Sequence, residues 1–264
     1  MLGRLWRSWQ RQREQAALPR RAIPDDLWKR TLVRYPFLQR RDPADAAELR
    51  RLTSLFLDRK EFHAVGGLKL TDSIVVSVAA QAVLPVLRLG LQRYDGFVGI
   101  VLTPDAVQAP QRITDDDGVV HEFEAEQHGL ATEGGPVMLS WRHVRGVGVA
   151  SGQAAYNLVI HEFAHVIDTA GQGLPGLPPE ISVAEWSTTL GNTFEQFSRR
   201  VEAGETTVID PYGTESPGEF FGVACEAFFV EPWRLKEEHP ALYGVFMRYF
   251  RQDPAAERPP ARRA

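Results

Sequence analysis

The sequence predicts an α+β fold in which helices at both ends of the chain enclose a small mixed sheet. Helical periodicity is clearest in residues 45–62, where apolar side chains recur three or four positions apart at Leu49, Leu52, Leu55 and Phe56. Strand character is confined to the middle of the chain, in short segments bounded by turn residues. Further helical patterns follow toward the C-terminus.

Two helices are predicted near the N-terminus, one over residues 24–38 and one over residues 45–62. Asp25 or Asp26 can cap the first helix, and Pro43 lies near the start of the second. Both helices belong to the helical N-terminal part of the chain.

The longest apolar run, residues 74–91, is interrupted by Gln81, Pro85 and Arg88. We expect a buried helix here that kinks or ends near the proline, because proline cannot continue the helical hydrogen bonds. The uncharged part of the run is too short to span a bilayer.

Three strands are predicted after this helix, at residues 97–104, 119–128 and 135–144. Residues 115–118, with the sequence DDDG, are expected to form a turn between strands. Together these segments would form the small mixed sheet.

A helix is predicted next over residues 151–173, with Ser151 as its N-cap and Gly171 or Gly173 near its end. Residues 172–184 are rich in glycine and proline and read as a loop. The last predicted helices span residues 185–203, 217–231 and 238–252.

The chain is expected to hold one domain over residues 21–252, with a helical part at about 21–95 and a catalytic core at about 96–252. Residues 1–20 form a basic, flexible segment ahead of it, and residues 253–264 form a disordered tail. Trp6 and Trp9, three residues apart, would suit docking of the basic segment on the rest of the protein.

Charge and composition narrow the class of protein. The net charge of −4 gives no support to nucleic-acid binding as the main activity. Residues 1–60 nevertheless hold 15 Lys and Arg against 7 Asp and Glu, a local net charge of +8 that suits either a solvated helical face or docking on an acidic body. One cysteine and an N-terminus without an apolar secretory region predict a cytoplasmic protein that is not bound to a membrane.

Residues 159–170, VIHEFAHVIDTA, contain the strongest chemical signal. His161 and His165 lie on one face of a helix, where both imidazoles can reach a metal ion at about 2.0–2.1 Å. Glu162 can take a proton from a water on that metal as the water attacks a carbonyl group. This is the HExxH pattern of zinc peptidases. The alternative, a metal-free histidine pair, would bury polar groups at a high cost.

The residues themselves leave the third ligand open. The metzincin pattern requires glycine at position 168 and histidine at position 171, whereas this chain has Asp168 and Gly171. Asp168 lies one turn beyond His165 and is expected to hold a ligand histidine in one tautomer. Glu219 and Glu226 share one face of an apolar helix, so one could bind the metal while the other supports a histidine. Glu219 could instead serve only as a first-turn acid.

Two motifs, HEFAHVID at residues 161–168 and DPYGTESPGEFFGVACEAFF at residues 210–229, resemble the Mlc titration factor A family of bacterial zinc metallopeptidases. The catalytic core is also similar to that of the anthrax lethal factor peptidase. The likeness covers most of residues 25–235. It implies a zincin-like domain with one Zn²⁺ per chain and a cytoplasmic, aminopeptidase-like activity on a peptide substrate.

The resemblance also implies roles for individual residues. In the family pattern a catalytic tyrosine precedes the distant glutamate ligand by seven residues, as Tyr212 precedes Glu219 here. Glu219 is then the third ligand, Glu226 supports a ligand, and Tyr212 donates a hydrogen bond to the oxyanion. The strand GPVMLSW, residues 135–141, looks like the edge strand that pairs with an extended substrate.

Two other functions fit parts of the pattern. A family member binds the glucose repressor Mlc, so a repressor of that type is a candidate partner. The chain could act only by sequestering such a regulator, with a vestigial or regulatory zinc site, although an intact set of ligands, base and tyrosine argues against a dead site. A purely structural zinc would need a fourth protein ligand, and Cys225 lies on a different helix face from Glu219 and Glu226.

Overall fold

The protein has the mostly helical α+β fold that the sequence predicts. The computed structural model describes residues 12–114, 120–131, 134–146, 154–169, 177–178 and 180–256. Its helices are α1 (12–20), α2 (Asp25–Arg34), α3 (Pro43–Arg59), α4 (Asp72–Val83), α5 (Trp141–Arg145), α6 (Leu158–Thr169), α7 (Val183–Glu202), α8 (Pro217–Val230), α9 (Pro232–Glu238) and α10 (Pro240–Phe250). Its strands are β1 (Glu61–Ala64), β2 (Gly99–Thr103), β3 (Val107–Thr114), β4 (Val120–Gln127), β5 (Gly129–Ala131) and β6 (Val137–Ser140).

The main sheet is small and mixed, as predicted. Its four strands lie in the order β1–β2–β6–β5. The first three are parallel, whereas β5 runs antiparallel to β6 and pairs Gly129 with Leu139. β3 and β4 form a separate antiparallel hairpin. The turn predicted at residues 115–118 lies outside the described residues.

The prediction that GPVMLSW is the edge strand is wrong. Within the described sheet, β6 lies between β2 and β5, and β5 is the edge strand on that side. β5 is only three residues long, Gly129–Ala131, and too short to show an alternating pattern in the sequence. The predicted strand at residues 135–144 also ends at Ser140 and turns into α5.

Two other boundaries differ from the prediction. The helix predicted over residues 45–62 ends at Arg59, and the next residues form β1, which pairs in parallel with β2. Helix α3 does start at Pro43, and Asp42 caps it by accepting a hydrogen bond from the Asp45 N–H at 2.8 Å. Strand β3 was not predicted, because Pro110 interrupts its pattern.

The helix α6 that carries the HExxH motif begins at Leu158 and not near Ser151, which lies outside the described residues. Its first turn is capped by Asn157, whose Oδ1 accepts a hydrogen bond from the Ile160 N–H at 3.0 Å. The helix cannot begin earlier, since the Ala155 N–H donates to the carbonyl oxygen of Val208 in an extended pairing.

The cap predicted for α2 is also wrong. Asp25 and Asp26 lie in the first turn, while Pro24 is at the N-cap position and offers no side-chain hydrogen bond. The acids still favour the helix through the dipole at its N-terminus. Helix α4 ends at Val83, two residues before Pro85, as predicted.

An aromatic cluster fixes the inner face of α6. The ring of Phe163 lies 5.0 Å from Tyr94, 5.7 Å from Phe56 and 5.8 Å from Phe97, measured between centroids, and all four side chains are buried. Phe56 belongs to α3, so the N-terminal helical part packs directly on the motif helix. Because Phe163 points into this core, the neighbouring polar residues of α6 are directed to the opposite side.

Helix α1 lies against α3. Glu14 forms ion pairs with Arg51 at 3.2 Å and Arg59 at 3.0 Å, and Arg20 lies 3.4 Å from Asp58. Residues 12–20 of the basic segment thus dock through opposite charges, whereas Trp6 and Trp9 lie outside the described residues. The division into a basic segment, one domain and a tail stays a prediction.

Lys60 is a buried cation at the junction of α3 and β1. Its ammonium group donates to the carbonyl oxygens of Tyr94 and Phe97 and lies 3.8 Å from the centroid of the Phe97 ring. Burial lowers the pKa of Lys60 from 10.5 to about 8. Between pH 8 and pH 10.5 the unfolded chain binds more protons than the folded protein, so the unfolding free energy rises with pH in this range. Below about pH 8 the folded protein carries the full free-energy cost of the buried ammonium charge, and this cost decreases as the pH rises above that value.

We therefore expect the unfolding free energy of the wild type to rise relative to that of Lys60→Met between about pH 8 and about pH 10. Urea denaturation across this range measures it. Lys29→Met, which removes an exposed ammonium group, should show no such trend. A pH-independent difference for Lys60→Met would contradict the assigned pKa.

Candidate active site

A cavity of about 530 Å³ lies between α6, α8, strand β5 and the 3-10 turn Pro211–Thr214. We call it the site cavity. Six of the seven predicted site residues line it: His161, Glu162, His165, Tyr212, Glu219 and Glu226. Asp168 is half-buried on α6 one turn beyond His165, and burial raises its pKa, with His165 acting in the opposite direction.

Three side chains converge at one point of the site cavity. His161 Nε2 lies 2.9 Å from Glu219 Oε2 and 3.1 Å from His165 Nε2, and His165 Nε2 lies 3.5 Å from Glu219 Oε2. Ligands at about 2.0–2.2 Å from a tetrahedral metal stand roughly 3.3–3.6 Å apart. Two imidazoles and one carboxylate are also the ligand types that zinc accepts. Two of the three observed separations are shorter than this by a few tenths of an ångström, so only a small outward shift of the side chains would be needed to hold a metal ion.

The electrostatics of this group also favour positive charge. Burial alone would lower the pKa of His161, but hydrogen bonds to Glu219 and Glu226 raise it to about 10. Burial opposes ionisation of Glu219, yet hydrogen bonds from His161 and His165 lower its pKa to about 2. A divalent cation would satisfy the same attraction that otherwise draws a proton to His161.

Glu226 holds the far side of the His161 ring. Its Oε1 lies 2.8 Å from His161 Nδ1, and its Oε2 accepts a hydrogen bond from the Asn157 N–H. Asn157 also donates from Nδ2 to Gln81 Oε1 at 2.9 Å, and Gln81 is fixed by the Ser77 carbonyl oxygen. A chain of buried polar groups thus leads from α4 to the ring that faces the site.

The geometry separates the two acids of α8. Glu219 Oε2 lies near the Nε2 atoms of both histidines, whereas Glu226 contacts only the opposite nitrogen of His161. Ser216 caps the helix by accepting a hydrogen bond from the Glu219 N–H at 3.2 Å, which leaves the Glu219 carboxylate to point into the site cavity. Glu219 therefore does more than favour the first turn.

Glu162 lies beside this group and against the edge strand. Burial raises its pKa to about 7, although His161 and His165 act to lower it. A Cβ atom on Gly129 would lie 2.2 Å from Glu162 Oε1, so the strand approaches the carboxylate more closely than any side chain permits. Gly222 makes a similar approach to the His161 ring, where a Cβ would lie 2.7 Å from Cε1.

Gly129→Ala should reduce kcat by about 10-fold or more without loss of bound metal, because the added methyl group must displace the Glu162 carboxylate. Steady-state kinetics and metal analysis test this. Gly191→Ala is the matched control: its Cβ would meet no atom within 4 Å, and alanine in the helix α7 should stabilise the protein slightly. Equal kcat values for the two variants would refute the proposed contact.

Tyr212 lies at the mouth of the site cavity. Its ring centroid is 6.1 Å from that of His161, and half of its surface is exposed. Asp210 starts this turn by accepting a hydrogen bond from the Tyr212 N–H at 2.9 Å. Burial, with Glu219 contributing, raises the pKa of Tyr212 to about 12, so its hydroxyl remains a hydrogen-bond donor at neutral pH.

Several lining residues were missed in the sequence analysis: His128, Gly129, Tyr156 and Asp210. Tyr156 lies three residues before the VIHEFAHVIDTA stretch, and Asp210 is the first residue of the DPYGTESPGEFFGVACEAFF motif. These positions were the available signal. The ring of His128 lies 3.9 Å from that of His143, measured between centroids, with the two ring planes tilted by 42°.

The HExxH helix, the glutamate of α8 and the edge strand beside them define a metallopeptidase of the zincin class with a His, His, Glu metal site. The chain belongs to the family of glucose-regulated metallo-peptidases M90, whose model matches residues 6–251. This confirms the family resemblance. Among the described residues, no helix combines the length and apolar character that crossing a membrane requires.

Relatives cover most of the chain. It is 34% identical to Mlc titration factor A of Klebsiella pneumoniae subsp. pneumoniae over 236 residues, and the aligned region covers 88% of each protein. It is 33% identical over 229 residues to Mlc titration factor A of Pectobacterium atrosepticum, 85% of each protein. An uncharacterized protein of Synechocystis sp. is 31% identical over 254 residues, 94% of this chain and 90% of the relative.

Proposed function

We propose that this protein is a zinc-dependent, aminopeptidase-like metallopeptidase that binds one Zn²⁺ through His161, His165 and Glu219. The observation that carries the proposal is the convergence of these three donor atoms beside the buried carboxylate of Glu162. Bound zinc polarises the carbonyl of the scissile peptide bond and lowers the pKa of the attacking water.

Glu162 acts as the general base in this proposal. It removes the proton from the attacking water and later delivers it to the leaving amine. Its pKa of about 7, raised by burial, suits a group that must both accept and donate a proton near neutral pH. The close approach of Gly129 restricts the carboxylate to one side of the site cavity.

Tyr212 stabilises the oxyanion that forms as the water attacks. Its hydroxyl stays protonated, since burial raises its pKa, and its ring lies close to that of His161. A hydrogen bond that strengthens as negative charge develops lowers the barrier to reaction. The half-exposed position leaves the side chain free to adjust to the substrate.

Two further acids orient the metal ligands. Glu226 accepts the Nδ1–H hydrogen bond of His161, which leaves Nε2 unprotonated and directed to the zinc. Asp168 is assigned the corresponding role near His165, supported by its position one helical turn away. The edge strand β5 is assigned to pair with the extended backbone of the substrate, because one of its edges has no partner strand within the described sheet.

The relatives support a second candidate function. Proteins called Mlc titration factor A share about a third of their residues with this chain over most of its length. Their name supports binding of a repressor of the Mlc type as a regulatory activity of this chain. A pull-down with that repressor, using the wild type and a Glu162→Ala variant, separates binding from hydrolysis.

The single cysteine, Cys225, is buried and unpaired, which supports a cytoplasmic location.

Hydrolysis of a panel of aminoacyl 4-nitroanilides and short peptides tests the main proposal. Zinc-loaded protein should cleave substrates from the amino end, lose activity after chelation, and regain it with one equivalent of Zn²⁺. Internally quenched peptides with both ends blocked serve as the comparison for endopeptidase action. If fully zinc-loaded protein cleaves none of these substrates, the peptidase proposal fails and the repressor-binding function gains support.

A further inference from the structure

Tyr156 lines the site cavity and has a buried hydroxyl group without a hydrogen-bond partner among the described residues. The residue lies two positions before α6 begins, and its position is fixed by the pairing of Ala155 with Val208. A buried hydroxyl without a partner is costly, so the arrangement indicates that a ligand group completes it.

The described residues that line the site cavity include acidic side chains but no Lys or Arg. Four carboxylates line it, those of Glu162, Asp210, Glu219 and Glu226. A divalent metal ion offsets at most two of these negative charges. The C-terminal carboxylate of a peptide would therefore meet repulsion here, whereas an ammonium group would be attracted.

Asp210 and Tyr156 also line this cavity, and neither is assigned to the metal or to proton transfer. Glu219 and Glu226 are engaged with the histidines, and Glu162 is the proposed base. Asp210 uses Oδ1 to accept a hydrogen bond from the Tyr212 N–H, which holds it in the turn beside the site cavity. Burial raises the pKa of Tyr156 well above its usual range, so the phenol stays neutral next to these acids.

We propose that Tyr156 and Asp210 form the subsite that binds the free α-amino group of a peptide substrate. The inference rests on the proposed peptidase function. The substrate ammonium group donates hydrogen bonds to the Asp210 carboxylate and to the phenol oxygen of Tyr156. The unpaired hydroxyl thereby gains a partner, and the subsite places the first peptide bond at the metal.

The first test removes the hydroxyl group alone. Tyr156→Phe keeps the ring, so the protein should fold with unchanged or slightly higher stability, while KM for free-amine substrates rises by about 10-fold. Tyr249→Phe is the matched control, because the Tyr249 hydroxyl is also buried and unpaired among the described residues but does not line the site cavity. Equal KM values for the two variants would overturn the role of Tyr156.

The second test removes the charge of Asp210. Asp210→Asn keeps an acceptor for the Tyr212 N–H but should lower the preference for a free amine over an N-acetylated amine by about 10-fold or more. Asp42→Asn makes the same change at the N-cap of α3, outside the site cavity, and should leave the preference unaltered. An unchanged preference in Asp210→Asn would overturn the role of this residue.

A binding measurement separates this subsite from catalysis. An amino-acid hydroxamate can bind the metal with its hydroxamate group while its free amine reaches Tyr156 and Asp210. Calorimetry on zinc-loaded wild type should show tighter binding of the free-amine form than of its N-acetyl form, with the difference reduced in both variants. Equal affinity for the two forms, or no affinity for either, overturns the subsite. If the protein binds the free-amine form more tightly than the N-acetyl form but hydrolyses no peptide, only the proposed peptidase activity is refuted and the amine subsite stands.

Discussion

Replacement of Glu162 by alanine should reduce peptide hydrolysis by about 10²–10⁴-fold while one zinc per chain remains bound. The carboxylate is buried on the motif helix beside the three metal ligands and is not itself part of the group that fits the metal. Its loss therefore removes proton transfer but leaves the metal in place. Parallel zinc analysis and steady-state kinetics on the wild type and the variant measure the two effects separately.

Glu195→Ala provides the control for this experiment. It removes the same functional group from an exposed position on α7 and should leave kcat and the zinc content unchanged. A Glu162→Ala enzyme that keeps its zinc and most of its activity would show that another group acts as the base. If the zinc is lost together with the activity, Glu162 has a structural role in the metal site that the present geometry does not include.

Glu219→Ala should have the second large effect, on metal affinity and therefore on stability. A ligand that binds only the folded state at about 100 times its Kd adds about 2.7 kcal/mol to the unfolding free energy. For a chain of this size that corresponds to a rise in Tm of roughly 5–10 °C. The variant should lose most of this zinc-dependent rise, because one of its three protein ligands is gone.

Glu215→Ala is the matched comparison, since Glu215 is exposed and lies four residues earlier, at the end of the 3-10 turn Pro211–Thr214. Thermal unfolding of both variants and the wild type, with zinc and with a chelator, gives the required differences. We expect the wild type and Glu215→Ala to respond equally to zinc. An undiminished response in Glu219→Ala would mean that the metal is held by a different set of residues.

The sequence by itself determined the parts of the site that depend on local geometry. Four-residue spacing places His161 and His165 on one helix face whatever the rest of the chain does. In the same way, Glu219 and Glu226 fall on one face of α8 because they are separated by two helical turns. The apolar periodicity of α3 and the proline that ends α4 are local features as well, and both helices were predicted close to their observed bounds.

Only the tertiary structure decided how these faces meet. Periodicity identifies a face but not its partner, so residue spacing could not separate the roles of Glu219 and Glu226; the packing of α8 on α6 directs one to Nε2 and the other to Nδ1 of His161. The edge strand β5 and the Gly129 contact with Glu162 depend on strand order, which a three-residue segment does not encode locally.

The same reason explains why the proposed amine subsite was not predicted. Tyr156 and Asp210 are separated by more than fifty residues in the chain, and the signal at each position is no stronger than that of an ordinary turn residue. They line one cavity because the extended segment around Ala155 pairs with Val208. Contacts of this kind arise from the assembled fold and are not visible in any single stretch of sequence.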